Sequence, residues 1–151
     1  MRPFSFIGIF CEDVRDEVGG THSVVGVLPD NVNIGALPGM IAKLAIYIRI
    51  QLDKDYNPKV LKARMKIPGG IAFEIADLAE LIRPTKEQAE SSNMPFVGLV
   101  AKAIISPLQI SQIGRIEAIV DVDGTEYICG VLNLIQPEAN ACEPSRRGSE
   151  S

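Results

Sequence analysis

Cys11 and His22 are the first residues to weigh as a chemical site, since a thiol and an imidazole can act as nucleophile and base. His22 is the only histidine of the 151-residue chain, and both lie in residues 4–28, FSFIGIFCEDVRDEVGGTHSVVGVL. The neighbours argue against catalysis. Glu12 and Asp13 beside Cys11 raise a thiol pKa where a nucleophile needs it lowered. A cysteine closing an apolar run is ordinarily a small core side chain. Ser23, His22 and Asp13 carry the atoms of a triad, but adjacent strand residues point to opposite faces, which keeps Ser23 from His22. Zinc lacks ligands, with one histidine and no CxxC or HxxxH spacing. The expected partner of His22 is Glu17, across a hairpin.

Calcium is the other chemistry with candidate ligands. Asp30, Asn31, Asp53, Asp55, Asn57, Asp121 and Asp123 fall at strand ends, where the loops of a sandwich can pool oxygens. Lys54 interrupts the Asp53–Asp55 pair, and acids beside glycine or asparagine at turns are usually turn chemistry. Gly19-Gly20 and Gly69-Gly70 follow no phosphate-binding pattern. No catalytic residue, metal or cofactor is therefore assigned. A charged hairpin end remains, and Glu12, Asp13, Arg15, Asp16, Glu17 and His22 are the expected contact surface, since loops on a rigid scaffold often carry recognition.

The elements that position this end follow from hydrophobic period. Residues 4–11 are apolar on both alternating faces, as in a central strand, with Gly8 marking a close approach or a bulge. Gly19-Gly20 suits a two-residue turn, which sets Glu17 against His22 and Arg15 against Val24, with residues 21–28 returning. Residues 29–41 read as a loop with a short extended piece. Residues 43–52 alternate cleanly, with Leu44, Ile46, Ile48, Ile50 and Leu52 on one face. Residues 60–67 alternate too, and Lys62, Arg64 and Lys66 suggest a guarded edge. Ile71, Phe73 and Ile75 begin a further strand. Asp77 and Glu80 have capping-box spacing for a short helix that Pro84 should stop. The other reading of that segment is one long strand, 71–82, followed by a loop. Residues 96–106 read as a buried strand or as a strand with a bulge near Gly98, after which Leu108, Ile110 and Ile113 keep to the core. Asp123-Gly124 joins residues 115–122 to 125–135 in a hairpin.

Seven or eight short strands, at most one short helix and no βαβ alternation indicate an all-β chain. The expected architecture is an antiparallel β-sandwich of jelly-roll or immunoglobulin-like layout, with a small closed barrel as the alternative. One domain over residues 1–136 and a polar tail over 137–151 complete the expected organisation.

A net charge of −4 argues against a nucleic-acid binder. Three widely spaced cysteines suit a reducing compartment. The apolar start runs only about eight residues into acids, unlike a signal peptide, and no stretch approaches the ~20 residues that span a membrane. The absence of tryptophan makes sugar stacking unattractive. Cytoplasmic location is expected.

Residues 11–17, Cys-Glu-Asp-Val-Arg-Asp-Glu, with Gly20 and then Ser-Val-Val-Gly-Val at 23–27, resemble the opening of a group of short uncharacterised bacterial and phage proteins. The resemblance covers this hairpin and, loosely, the closing strand–turn–strand at 116–134. It implies a small β-sandwich without assigned activity, so no catalytic residue is carried over. The expectation is a non-enzymatic domain acting by protein binding or self-assembly, in one version a phage or prophage component associated with the virion. The small-molecule ligand is left open. The alternative is a calcium-dependent binder or small enzyme built on the Cys11–His22 end.

Overall fold

The computed structural model describes residues 2–90 and 92–137. The strand with the clearest alternation, β5 (Leu44–Asp53), lies at the centre of one sheet. Leu44, Ile46, Ile48, Ile50 and Leu52 all point inward and are at most 1% exposed. Burying side chains of this size contributes about 2 kcal/mol each. On one side β5 pairs with β1 (Phe4–Asp16), whose other neighbour is β2 (His22–Val27). On the far side it pairs with β8 (Phe96–Ile105), giving the antiparallel order β2-β1-β5-β8.

The facing sheet is built from β3 (Asn31–Asn33), β6 (Leu61–Ile67), β7 (Ile71–Asp77), β10 (Gly114–Val122) and β11 (Thr125–Ile135), in the order β3-β11-β10-β6-β7. Only β3 runs parallel to its neighbour. Leu61, Ala63, Met65, Ile116, Ala118, Val120, Leu132 and Leu134 meet the inner face of the first sheet in one core. A short pair, β4 (Gly39–Ile41) and β9 (Leu108–Ile110), adds Leu108 and Ile110 to that core. The result is a β-sandwich. The barrel is not formed, because each large sheet ends in two edge strands.

Gly8 and Gly130 set how closely the sheets approach. A Cβ on Gly8 would sit 2.9 Å from Cys129 Sγ, and one on Gly130 would sit 2.9 Å from the Gly8 carbonyl oxygen. Here β1 and β11 touch backbone to backbone, so the close approach expected at Gly8 is found. The Asp123-Gly124 turn is found as well, with φ of 50° and 90° in the left-handed region that such turns require.

Several expectations are corrected. β6 is no edge: it lies between β10 and β7, and its three basic side chains form the solvated outer face of the sheet. β8, expected as a buried strand, is an edge strand, and its register runs unbroken past Gly98. Residues 12–16 continue β1 to the turn, and Val14, which stands among charges expected to keep this stretch exposed, is 8% exposed. Ile7, expected to be covered, is 57% exposed on the outer face, and Ile113 is 49% exposed. The helix α1 (Ala79–Glu90) runs through Pro84. Proline there removes one intrahelical bond, while Thr85 Oγ donates to the Leu81 carbonyl at 2.6 Å and Leu78 and Ile82 anchor the segment in the core. The polar tail falls, from residue 138 onward, outside the described residues.

Candidate functional site

The hairpin end of β1 and β2 was the expected site, and its geometry divides the six residues. The register sets Asp16 against His22 and Arg15 against Ser23. The one-residue difference from expectation arises because the turn consumes residues 17–21, closed by the Glu17 N–H donating to the Thr21 carbonyl at 2.8 Å. His22 therefore faces Asp16, not Glu17, with Nε2 3.4 Å from Oδ1.

Lys102 of β8 reaches the same Asp16 oxygen, and His22 stands edge-on to Tyr47 at 5.7 Å between centroids. Asp13, one residue out of phase with Val14, lies on the other face with Arg15 Nε at 3.2 Å and Lys43 Nζ at 3.3 Å. The Arg15 hydrogen bond, then that of Lys43, holds the Asp13 carboxyl below its usual range, and the Lys102 hydrogen bond does the same for Asp16. Glu12 packs beside Gly26, where any Cβ would collide with it, and Glu17 is exposed at the turn. Two small ion clusters on opposite faces replace the single surface expected.

Cys11 and His22 are not brought together. Cys11 pairs with Val27, five positions from the Asp16–His22 pair, which is roughly 16 Å along the ladder. Cys11 is fully buried against the Ala45 carbonyl, and burial raises its thiol pKa. Burial also pushes the Cys129 thiol up to about 11, with Sγ 3.5 Å from the Ala118 carbonyl. Neither thiol has the electropositive surroundings that activate one.

Several of the strand-end oxygens considered for calcium are engaged within the fold. Asp123 Oδ1 accepts the N–H groups of Lys59 and Val60, each at 2.8 Å. Asp121 accepts the Gly124 N–H at 2.8 Å and faces Arg64. Asn31 accepts a bond from Asn133 at 3.0 Å. Among the described residues no three His, Cys, Asp or Glu side chains gather to hold a metal ion. No helix among them is long and apolar enough to cross a membrane.

Two features escaped the sequence. The first is a cleft of about 430 Å³ beside the end of α1, lined by Lys54, Asp55, Asn57, Lys86 and Glu90 among others. Lys86 donates to the Tyr56 carbonyl and, at 2.8 Å, to Asn57 Oδ1. Burial lowers its pKa. Lys86 follows Leu78 and Ile82 at helical spacing, so it occupies the inward stripe and ties α1 to the turn after β5. The i, i+4 step from Ile82 was the available signal, obscured by reading Pro84 as a stop.

The second is the free edge of β7. Among the described residues this strand pairs with β6 alone. Ile71 and Phe73 lie across from Ile67 and Met65, which are 6% and 0% exposed. Cross-strand partners share a face, so Ile71 and Phe73 point to the core side; yet they remain 51% and 38% exposed. The five-stranded sheet overhangs the four-stranded one at this end. Just beyond, the ladder slips by one residue between Arg64–Glu74 and Ala63–Ala76, and Ile75 and Ala76 both turn onto the core.

No family model, curated protein or solved structure matches the chain.

Proposed function

We propose that this protein is a non-enzymatic β-sandwich that works by protein binding or assembly. The observation that carries this reading is the β7 edge: a strand edge that no other described residue pairs with, its apolar, core-directed side chains left uncovered. An unpaired apolar edge is a template for another chain, and natural folds normally blunt such edges unless they use them. Paired carboxylates at the hairpin end and buried, unactivated thiols add support, because they leave the Cys11–His22 alternative without a reacting pair. The concrete version, a phage or prophage component residing in the cytoplasm or the virion, rests on the resemblance of residues 11–27 and on fold analogy.

The test is affinity capture of the full chain from its native host, together with mass-resolved chromatography of the purified protein. A self-complex or a stoichiometric protein partner, lost in Phe73→Lys, is the expected result. A strictly monomeric chain that retains no partner overturns the reading.

A further inference from the structure

Resting on that binding reading, we propose that the occupant of the β7 edge is a second copy of this chain, paired antiparallel, β7 to β7, about a two-fold axis through Phe73. The other edges are less suited. β3 is three residues long, β2 is interrupted at Gly26 with φ of 68°, and β8 has α1 packed against it. β7 offers residues 71–75, Ile-Ala-Phe-Glu-Ile, without proline or glycine and with one charge. The slip at Ile75 closes the regular stretch.

The register follows by elimination, because directly opposed residues must share a face. An axis between Phe73 and Glu74 would set the core-side phenylalanine against the solvent-side glutamate. An axis through Glu74 would set two carboxylates directly opposite, which is unfavourable. An axis through Ile75 would set Phe73 against Asp77, whose Oδ1 already accepts the Ala79 N–H at the start of α1. An axis through Ala72 leaves too short a ladder.

The axis through Phe73 satisfies every pair. Phe73 meets Phe73 of the second copy, and Ile71 meets Ile75 in both directions. On the solvent face Ala72 meets Glu74 of the second copy. Behind Ala72 stands Lys66, its partner on β6. Arg64 has two acidic partners and Lys62 lies 4.0 Å from Glu74, whereas Lys66 forms no ion pair among the described residues, since Glu117, opposite it on β10, is held by Arg115 at 2.9 Å. A lysine reaching over the small alanine toward the incoming Glu74 makes the edge charge-complementary to itself, twice by symmetry. The isologous arrangement is the one expected of a two-fold dimer.

Sedimentation of the full chain across a wide concentration range is the test. A ladder this short gives a weak dimer, with a dissociation constant on the order of tens of micromolar. Phe73→Lys weakens it by about tenfold or more. Glu74→Lys weakens it as well, and adding Lys66→Glu restores it. Register is read by oxidation in a Cys142→Ser background. Phe73→Cys cross-links to itself, while Ala72→Cys cross-links only when mixed with Glu74→Cys, since directly opposed strand residues lie within disulfide reach. A chain monomeric throughout overturns the proposal, as does a dimer indifferent to Phe73→Lys or cross-linked in another register. A stoichiometric foreign protein held through Phe73 on a monomeric chain overturns the second copy and leaves the binding reading standing. If neither form of association is seen, both fall.

Discussion

Gly130→Ala tests whether the two sheets meet where the structure places them. Neither Gly130 nor Gly8 has a positive φ, so the cost of a side chain is purely steric. The new methyl of Gly130→Ala would lie 2.9 Å from the Gly8 carbonyl oxygen and 3.3 Å from its carbon. Both are backbone atoms, and no rotamer change relieves them. β1 and β11 must part by a few tenths of an ångström, which disturbs the contact that seats Phe4 and Phe6 against Tyr127. Overpacking of this kind costs about 1–3 kcal/mol, and a rigid backbone obstacle puts Gly130→Ala near the upper end, a fall in melting temperature of about 6–12 °C.

Gly8→Ala meets Cys129 Sγ at 2.9 Å and the Cys129 carbonyl oxygen at 3.1 Å. Part of its cost should therefore disappear in a Cys129→Ala background. Gly98→Ala is the control: its nearest neighbour would be 3.9 Å away, and replacing a strand glycine should be neutral or stabilising by about 0.5 kcal/mol. Urea and thermal unfolding measure all four variants. A Gly130→Ala variant as stable as Gly98→Ala would refute the close approach, and with it the way the sheets are joined.

Asp13 and Asp16 have folded-state pKa values below the ordinary 3.8. The unfolded chain binds their protons more readily, so their contribution is present above 3.8 and is lost as pH falls through the depressed values. Asp13→Asn and Asp16→Asn should each flatten the acid limb of stability against pH, read by denaturation at successive pH values. Cys11 and Cys129 should resist alkylation at pH 8 in the native protein and react once it is unfolded, as peptide mass spectrometry would record. Asp123→Ala leaves the N–H groups of Lys59 and Val60 without their acceptor and should cost about 1–3 kcal/mol in urea unfolding.

Faces were legible in the sequence because strand period and burial are one fact. Leu44 to Leu52 in β5, Leu61 to Ile67 in β6 and the Asp123-Gly124 turn take the faces and the conformation that their sequence predicts, since each is specified by adjacent residues. The hairpin end was legible as charged but not as divided. Its division depends on a five-residue turn, where Gly19-Gly20 had suggested two, and on Lys43 and Lys102 arriving from other strands. Lys86 was hidden for a related reason. Helical register through Pro84 depends on Leu78 and Ile82 finding the core, which no local propensity expresses.

Lateral position is harder still, because alternation says which face a side chain takes and nothing about what lies beside its strand. Lys62, Arg64 and Lys66 look like edge guards, yet they stand inside a sheet, where Lys62 finds Glu74 on β7 and Arg64 finds Asp121 on β10 and Glu126 on β11. Ile71 and Phe73 look like core, yet the facing sheet stops short of them. The protections expected of an edge strand are thus spent on β6, and the true edge carries one glutamate and two uncovered apolar side chains. Selection against aggregation should remove that arrangement from a chain that worked alone. Its presence on a seven-residue strand with an open hydrogen-bonding edge is understandable if another strand completes the sheet there.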